Sequence, residues 1–216
     1  MSFWRWWAAG LLLWAMALMA AAPCDLALSQ ALSDRQALDA RLVHHTGELP
    51  GWLLIAAGLA ALVAGRRPGS AWRPWRPAAA ALLAQALLIP LLVTQLLKLL
   101  WGRVRFYQLQ ADLSDYTPFW QPAGIGAGKS FPSGHVAMSV VMASLPFMLW
   151  AGGRRRAALL VGAAVALWGL WVSWGRIRAG SHYLTDCLFS LGLGWLVGAL
   201  LAWIISRRAA AARPTP

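Results

Sequence analysis

Six uninterrupted apolar stretches decide what this chain can become: roughly Phe3 to Ala22, Leu49 to Gly65, Ala78 to Leu100, His135 to Gly152, Ala157 to Trp174 and Cys187 to Ser206. A bilayer core about 30 Å thick takes ~20 helical residues, within a range of ~17–25. All six stretches qualify, the second with least to spare. None alternates apolar and polar residues with a period of two, as the strands of a membrane barrel must. The composition agrees, because 60% hydrophobic residues against 12% charged is about half the charge of a soluble domain. Disorder, collagen, coiled coil and a disulfide scaffold are excluded. No internal repeat is visible. The expected fold is all-α, a six-helix transmembrane bundle formed by residues 1–216 as a single domain. The first stretch, with Arg5 among Trp4, Trp6 and Trp7 and small residues at Ala20-Ala21-Ala22, also has the look of a signal peptide. Pro23 sits badly at a cleavage junction, and a retained helix is expected.

Orientation follows from the connections, since short cytoplasmic loops collect Lys and Arg. With both termini inside, Arg5, Arg66, Arg67, Arg73, Arg76, Arg154, Arg155, Arg156, Arg207, Arg208 and Arg213 share one side with no acid. The other side takes Asp25, Asp34, Asp39, Glu48, Asp112, Asp115 and Asp186 with the remaining basic residues. The net charge of +12 is thus mainly a topology signal, and no nucleic-acid partner is expected. The expected location is the inner (plasma) membrane, multi-pass, with both termini cytoplasmic. Cys24 and Cys187 fall at the outward surface without C-x-x-C spacing and are expected to be free thiols.

Three outward segments carry charge beyond what solubility needs. In Pro23 to Glu48, Ser33-Asp34-Arg35-Gln36 precedes Ala37, Leu38, Leu42 and Val43, which predicts a capping box opening a short amphipathic helix along the membrane surface. From Lys98 to Gly134, continued helix would place Lys98 and Arg105 two turns apart on one face, with Thr94 a turn below. Two cations there suit a phosphate; taken alone, snorkelling to headgroups explains them as well. Pro132-Ser133-Gly134-His135 offers backbone N–H groups at a helix start, a hydroxyl and a titratable imidazole, or else an ordinary capping turn. From Gly175 to Asp186, His182 and Asp186 are four apart, so on a helix the carboxylate orients the imidazole as in triad logic. Arg176 reaches the same pocket from the preceding turn; a salt bridge from Arg176 or Arg178 to Asp186 is the plainer alternative. Taken together, the three clusters share one face of the membrane and make a complementary phosphoryl-transfer pocket.

This arrangement resembles the type-2 phosphatidic acid phosphatase superfamily, the membrane lipid phosphate phosphatases, whose signature K-x6-R-P, P-S-G-H and S-R-x5-H-x3-D is met in order by Lys98 with Arg105, by Pro132 to His135, and by Arg176 with His182 and Asp186. Phe106 stands where proline is usual and Gly175 where serine is usual. The resemblance covers the core of about 94–190 and implies six membrane helices with the active site at the outer surface, facing the periplasm or exterior. It implies that His182 attacks phosphorus to form a phosphohistidine, that Asp186 holds its tautomer, and that His135 protonates the leaving group and then assists water. Lys98, Arg105, Arg176, Ser133 and the Gly134 amide would neutralise the phosphate oxygens, with no cofactor and no metal. The implied activity is hydrolysis of a membrane lipid phosphoester or isoprenoid pyrophosphate, as a phosphoric monoester hydrolase or diphosphatase. A lipid phosphotransferase and a non-enzymatic transporter are the alternatives, although transporters hold ionisable groups near the midplane rather than at helix ends.

Gly124-Ile125-Gly126-Ala127-Gly128-Lys129-Ser130 imitates the end of a nucleotide-binding P-loop, but no strand precedes it and Phe131-Pro132 follows. It is expected to be a flexible lid whose Lys129 meets a distal phosphate. His44 and His45 read as surface residues. Gln85, Thr94, Gln95, Pro90 and Pro146 suggest interhelical bonds and kinks, and the fifteen tryptophans suggest interfacial anchoring. Three motif cations with Lys129 and Arg103 nearby exceed what a monophosphate needs, which favours a lipid pyrophosphate such as the undecaprenyl carrier over phosphatidic acid, phosphatidylglycerol phosphate or lipid A. Oligomeric state is not legible.

Overall fold

A computed structural model describes residues 2–211, with side chains to Arg208. Among these residues it is helical with no strand. Helix α1 (Phe3–Ala21) passes through a 3₁₀ turn containing Pro23 into α2 (Asp25–Leu32). Helix α3 (Leu38–Thr46) leads into α4 (Leu49–Ala64), followed by α5 (Arg76–Ala86), a π-helical stretch (Leu87–Val93) and α6 (Thr94–Trp101). Helix α7 (Gly134–Ser139) and α8 (Ser144–Ala151) share a span, and α9 (Arg155–Arg178) and α10 (Leu184–Ala211) complete the chain. By length and apolarity they form six membrane-crossing spans.

The central helix is α10, which packs against α1, α5, α7, α8 and α9; α9 also holds α3 and α8, and α4 lies against α5. Proline sets the irregularities. Pro90 lies within the π-helical stretch, where the wider turn absorbs its missing N–H. The fourth span breaks between Ser139 and Ser144, where the Val140 carbonyl accepts a turn bond from Ala143 N at 3.0 Å. Buried Gln85 adds a second donor there: its Nε2 donates to Val140 O and Gly194 O, both at 2.9 Å, tying the third, fourth and sixth spans together. Gln95 instead bonds Pro90 O on its own span at 3.0 Å.

Charge divides between the ends of the bundle. All seven acids lie at the end bearing Lys98, Ser133 and His182, whereas Arg5, Arg66, Arg67, Arg73, Arg76, Arg154–Arg156, Arg207 and Arg208 lie at the other. Arg213, expected at that end, lies outside the described residues. Cys24 is exposed and Cys187 buried, and both are free.

The first connection departs from expectation. Ser33 ends α2 rather than opening the next helix, and the Asp34 carboxylate accepts from Gln36 N and Ala37 N at 3.0 and 3.2 Å, so an Asp turn replaces the capping box. Helix α3 packs one face against the bundle and leaves Leu38 and Leu42 exposed on the other. Its Ala40 and Val43 are buried, and Val43 packs with Val136, Val172, Ile177 and Cys187 against the end of α9. Gly175 makes this docking possible, because a Cβ there would fall inside the Val43 side chain.

Candidate active site

The three motif cations come from two spans, Lys98 and Arg105 from the third and Arg176 from the fifth. Lys98 occupies the last turn of α6, but that helix stops at Trp101, where Gly102 turns left-handed at φ 64°. Glycine is required twice over, since a Cβ there would also collide with the Gly124 carbonyl. Lys98 and Arg105 therefore do not share a helix face, as the spacing suggested; the chain reverses between them. The expected break falls at Gly102, upstream of Phe106.

The Lys98 ammonium lies over Gly134, 3.2 Å from where a Cβ would stand. Arg105 donates Nη1–H to Tyr107 Oη at 2.9 Å, and its buried Nε has no partner. Arg176, in the last turn of α9 and 4% exposed, also keeps an unpartnered buried Nε. These three charges lie within Coulombic reach of one another. Among the described residues, none has a carboxylate within ion-pair distance. Ser133 caps α7, its N–H donating to Asp186 O at 3.3 Å and its hydroxyl accepting Val136 N at 3.5 Å.

His182 is not on a helix. Gly180, at φ 60°, ends α9, and His182 sits in the turn before α10. Its Nδ1 lies 2.6 Å from Ser130 O but 3.8 Å from Asp186 Oδ2. A carbonyl only accepts, so Nδ1 carries the hydrogen and Nε2 the lone pair. The four-residue helical pairing with Asp186 is thus replaced: the Ser130 carbonyl sets the tautomer. Burial, reinforced by Arg176 and Lys98, pushes the His182 pKa down to about 3, which keeps the ring neutral.

Stronger donors claim Asp186. Arg103 Nη1 and Ser130 Oγ each reach it at 2.6 Å, and Tyr183 N at 2.9 Å. Arg103 also meets Asp25 at 2.9 Å and Thr117 O at 2.9 Å, and its guanidinium lies 4.0 Å over the Tyr183 ring. Thr185 donates to Asp25 through both its N–H and its hydroxyl. Arg103, Asp25 and Asp186 have fully buried side chains, so Arg103 adds no free charge to the pocket. The salt bridge to Asp186 comes from Arg103, whereas Arg178 pairs with Asp34 and Asp39.

His135 stands at the rim, Nδ1 3.0 Å from Glu48 Oε1 and Nε2 3.3 Å from His44 O. His44 is not remote: its Nδ1 accepts from Arg176 Nη1 at 3.2 Å. The glycine-rich loop is laced down, with Ala123 N on Trp101 O, Gly126 N on Leu99 O and Ser130 N on Arg103 O at 2.8–3.1 Å. The amides of Ala123, Gly126, Ala127 and Ser130 are thus committed to carbonyls, and Lys129 is exposed. Asp25, Glu48, His44 and Ser130 escaped sequence reasoning because no spacing links them to the motifs. The one available signal was the position of Glu48, directly ahead of a span as His135 is. A separate apolar cavity of about 1110 Å³, walled by Trp7, Trp14, Phe147 and Trp195, lies toward the opposite end.

A sequence profile of the PAP2 superfamily matches residues 79–210, well over half of the chain. The chain belongs to the PAP2 superfamily. Another protein similar to it is phosphatidylglycerophosphatase B of Haemophilus influenzae, 34% identical over 84 residues that cover 38% of this chain and 35% of that protein. The match spans only about a third of that relative's length. The crystal structure of a transmembrane PAP2-type phosphatidylglycerolphosphate phosphatase from Bacillus subtilis shares the fold, with a TM-score of 0.58 over 97% of this chain and 98% of that one at 19% identity. The PAP2 match begins after α4, so Asp25, His44 and Glu48 lie outside it.

Proposed function

We propose that this PAP2 protein hydrolyses a membrane lipid phosphoester or isoprenoid diphosphate through a phosphohistidine on His182, without a metal. The observation that carries the reading is a neutral imidazole whose tautomer is set by Ser130 O, close to three cations that lack carboxylates. A phosphoryl group with charge on its equatorial oxygens answers both features. His182 Nε2 forms the P–N bond as the P–O bond to the lipid breaks, and His135 protonates the departing oxygen. Water then attacks phosphorus, gives its proton to His135 and releases phosphate as the P–N bond breaks. Lys98, Arg105, Arg176, Ser133 and the Gly134 amide hold the oxygens. Asp186 acts indirectly, gripping the Ser130 hydroxyl while the Ser130 carbonyl grips the imidazole.

The segregated charge supports an inner-membrane protein with cytoplasmic termini and this site facing outward. The names of both relatives point to phosphatidylglycerol phosphate, which stands beside isoprenoid diphosphate as a substrate.

Purified protein in excess chelator is expected to release phosphate from these lipids, and folded His182→Ala to release none. Activity restored only by magnesium, or surviving in that variant, would sink the proposal. Phosphate appearing on an added acceptor lipid would make the protein a transferase.

A further inference from the structure

Two elements outside the superfamily match reach the rim of the site: the turn before α3, with Arg35, and α3 itself, with His44. The Arg176 guanidinium can only donate. Because it meets His44 Nδ1 at 3.2 Å, that nitrogen is the acceptor and His44 Nε2 bears the hydrogen. The ring is exposed, and among the described residues Nε2–H has no partner. It lies nearly parallel to His135, centroids 6.0 Å apart. Arg35 stands over Tyr107 at 4.0 Å, and Tyr107 in turn holds Arg105. Asp34, beside it in sequence, is committed to Arg178. A hydrogen-bond donor and a cation thus flank the motif cations with no carboxylate satisfying either. Gly175 is what admits α3 to this position, since any side chain there would displace Val43.

The geometry points to a second-phosphate subsite, built by His44 and Arg35, that holds the lipid-side phosphate of a diphosphate substrate. The inference rests on the hydrolase reading above. The terminal phosphorus lies against His182, Lys98, Arg105 and Arg176. Attack by His182 Nε2 breaks the bond from that phosphorus to the bridging oxygen, whose electron pair stays on the departing lipid monophosphate. His44 Nε2–H and Arg35 receive the charge that builds there. A lipid monophosphate has no second phosphate to place in this subsite, so the pair acts as a specificity determinant.

The test compares kcat/KM for undecaprenyl diphosphate and undecaprenyl monophosphate, which share one tail, in wild type, His44→Ala, His44→Asn and Arg35→Ala. Asparagine keeps an acceptor for Arg176 near the position of Nδ1 but lacks the Nε2–H donor. Both His44 variants are expected to lose tenfold or more on the diphosphate, about 1.4 kcal/mol of transition-state discrimination, and about threefold or less on the monophosphate. Arg35→Ala should shift the ratio the same way by about threefold. Equal losses on both lipids in His44→Ala, restored on both by His44→Asn, would reduce His44 to positioning Arg176 and overturn the subsite. An unchanged ratio in every variant would overturn it too. Wild-type protein inactive on both undecaprenyl lipids but active on phosphatidylglycerol phosphate overturns the subsite, whereas inactivity on all three overturns the hydrolase reading itself, a distinct outcome.

Discussion

Arg103 and Arg105 are separated by a single residue and live opposite lives. Arg103 is fully buried between Asp25 and Asp186, its charge cancelled and its N–H groups spent. Arg105 donates to the Tyr107 hydroxyl and, among the described residues, leaves a buried Nε unpartnered. The first is a structural ion held by carboxylates from the first and sixth spans. The second belongs to a group of cations that have no carboxylate within ion-pair distance among the described residues, and the proposed mechanism gives that group the phosphate. Carboxylate placement, rather than the arginine itself, separates framework from pocket.

The sharpest way to break that contrast is to remove Arg103. Arg103→Ala strands two buried carboxylates, and losing one partner of a buried pair costs about 3–5 kcal/mol. The variant is expected to unfold or accumulate poorly, read by thermal melting in detergent. A variant that melts like wild type and loses only turnover would move Arg103 into the pocket. Arg105→Ala should do the reverse, keeping its melting temperature while turnover falls by about 10²–10³, the usual cost of one oxyanion donor.

Acid should act next in size, through His182. Its pKa is about 3 in the folded protein against 6.5 when exposed. Between those values the unfolded chain takes up a proton that the folded chain refuses. Stability is therefore full above about pH 6.5 and falls as pH drops toward about 3. The melting temperature should decline over that window in wild type and decline less in His182→Gln; parallel curves would count against a neutral buried imidazole. The smallest effect belongs to Lys129→Ala. An exposed side chain on a loop fastened by its own backbone should change kcat/KM by about twofold or less.

The six spans were legible because lipid demands a fixed length of apolar helix, and α4 begins at Leu49 as the pattern required. The motif residues were legible as types in order, but their partners were not. Periodicity spoke for a helix through Arg105 and for one joining His182 to Asp186. Gly102 ended the first, and the turn that follows Gly180 carries His182 and delays α10 to Leu184, each glycine having a positive φ that composition does not announce. Asp25, Glu48 and His44 entered through tertiary packing, and the packing that brought His44 depended on the missing side chain of Gly175. At that position the sequence seemed to have lost a hydroxyl; the fold shows a space made for a neighbour.

The amide of Gln85 has an effect at a distance. By bonding Val140 O and Gly194 O it fastens together the spans that end in Lys98, begin with Ser133 and carry Asp186. One side chain inside the apolar bundle thus fixes how three span ends stand relative to one another, although none of the residues it bonds belongs to the polar surface where the motif residues gather.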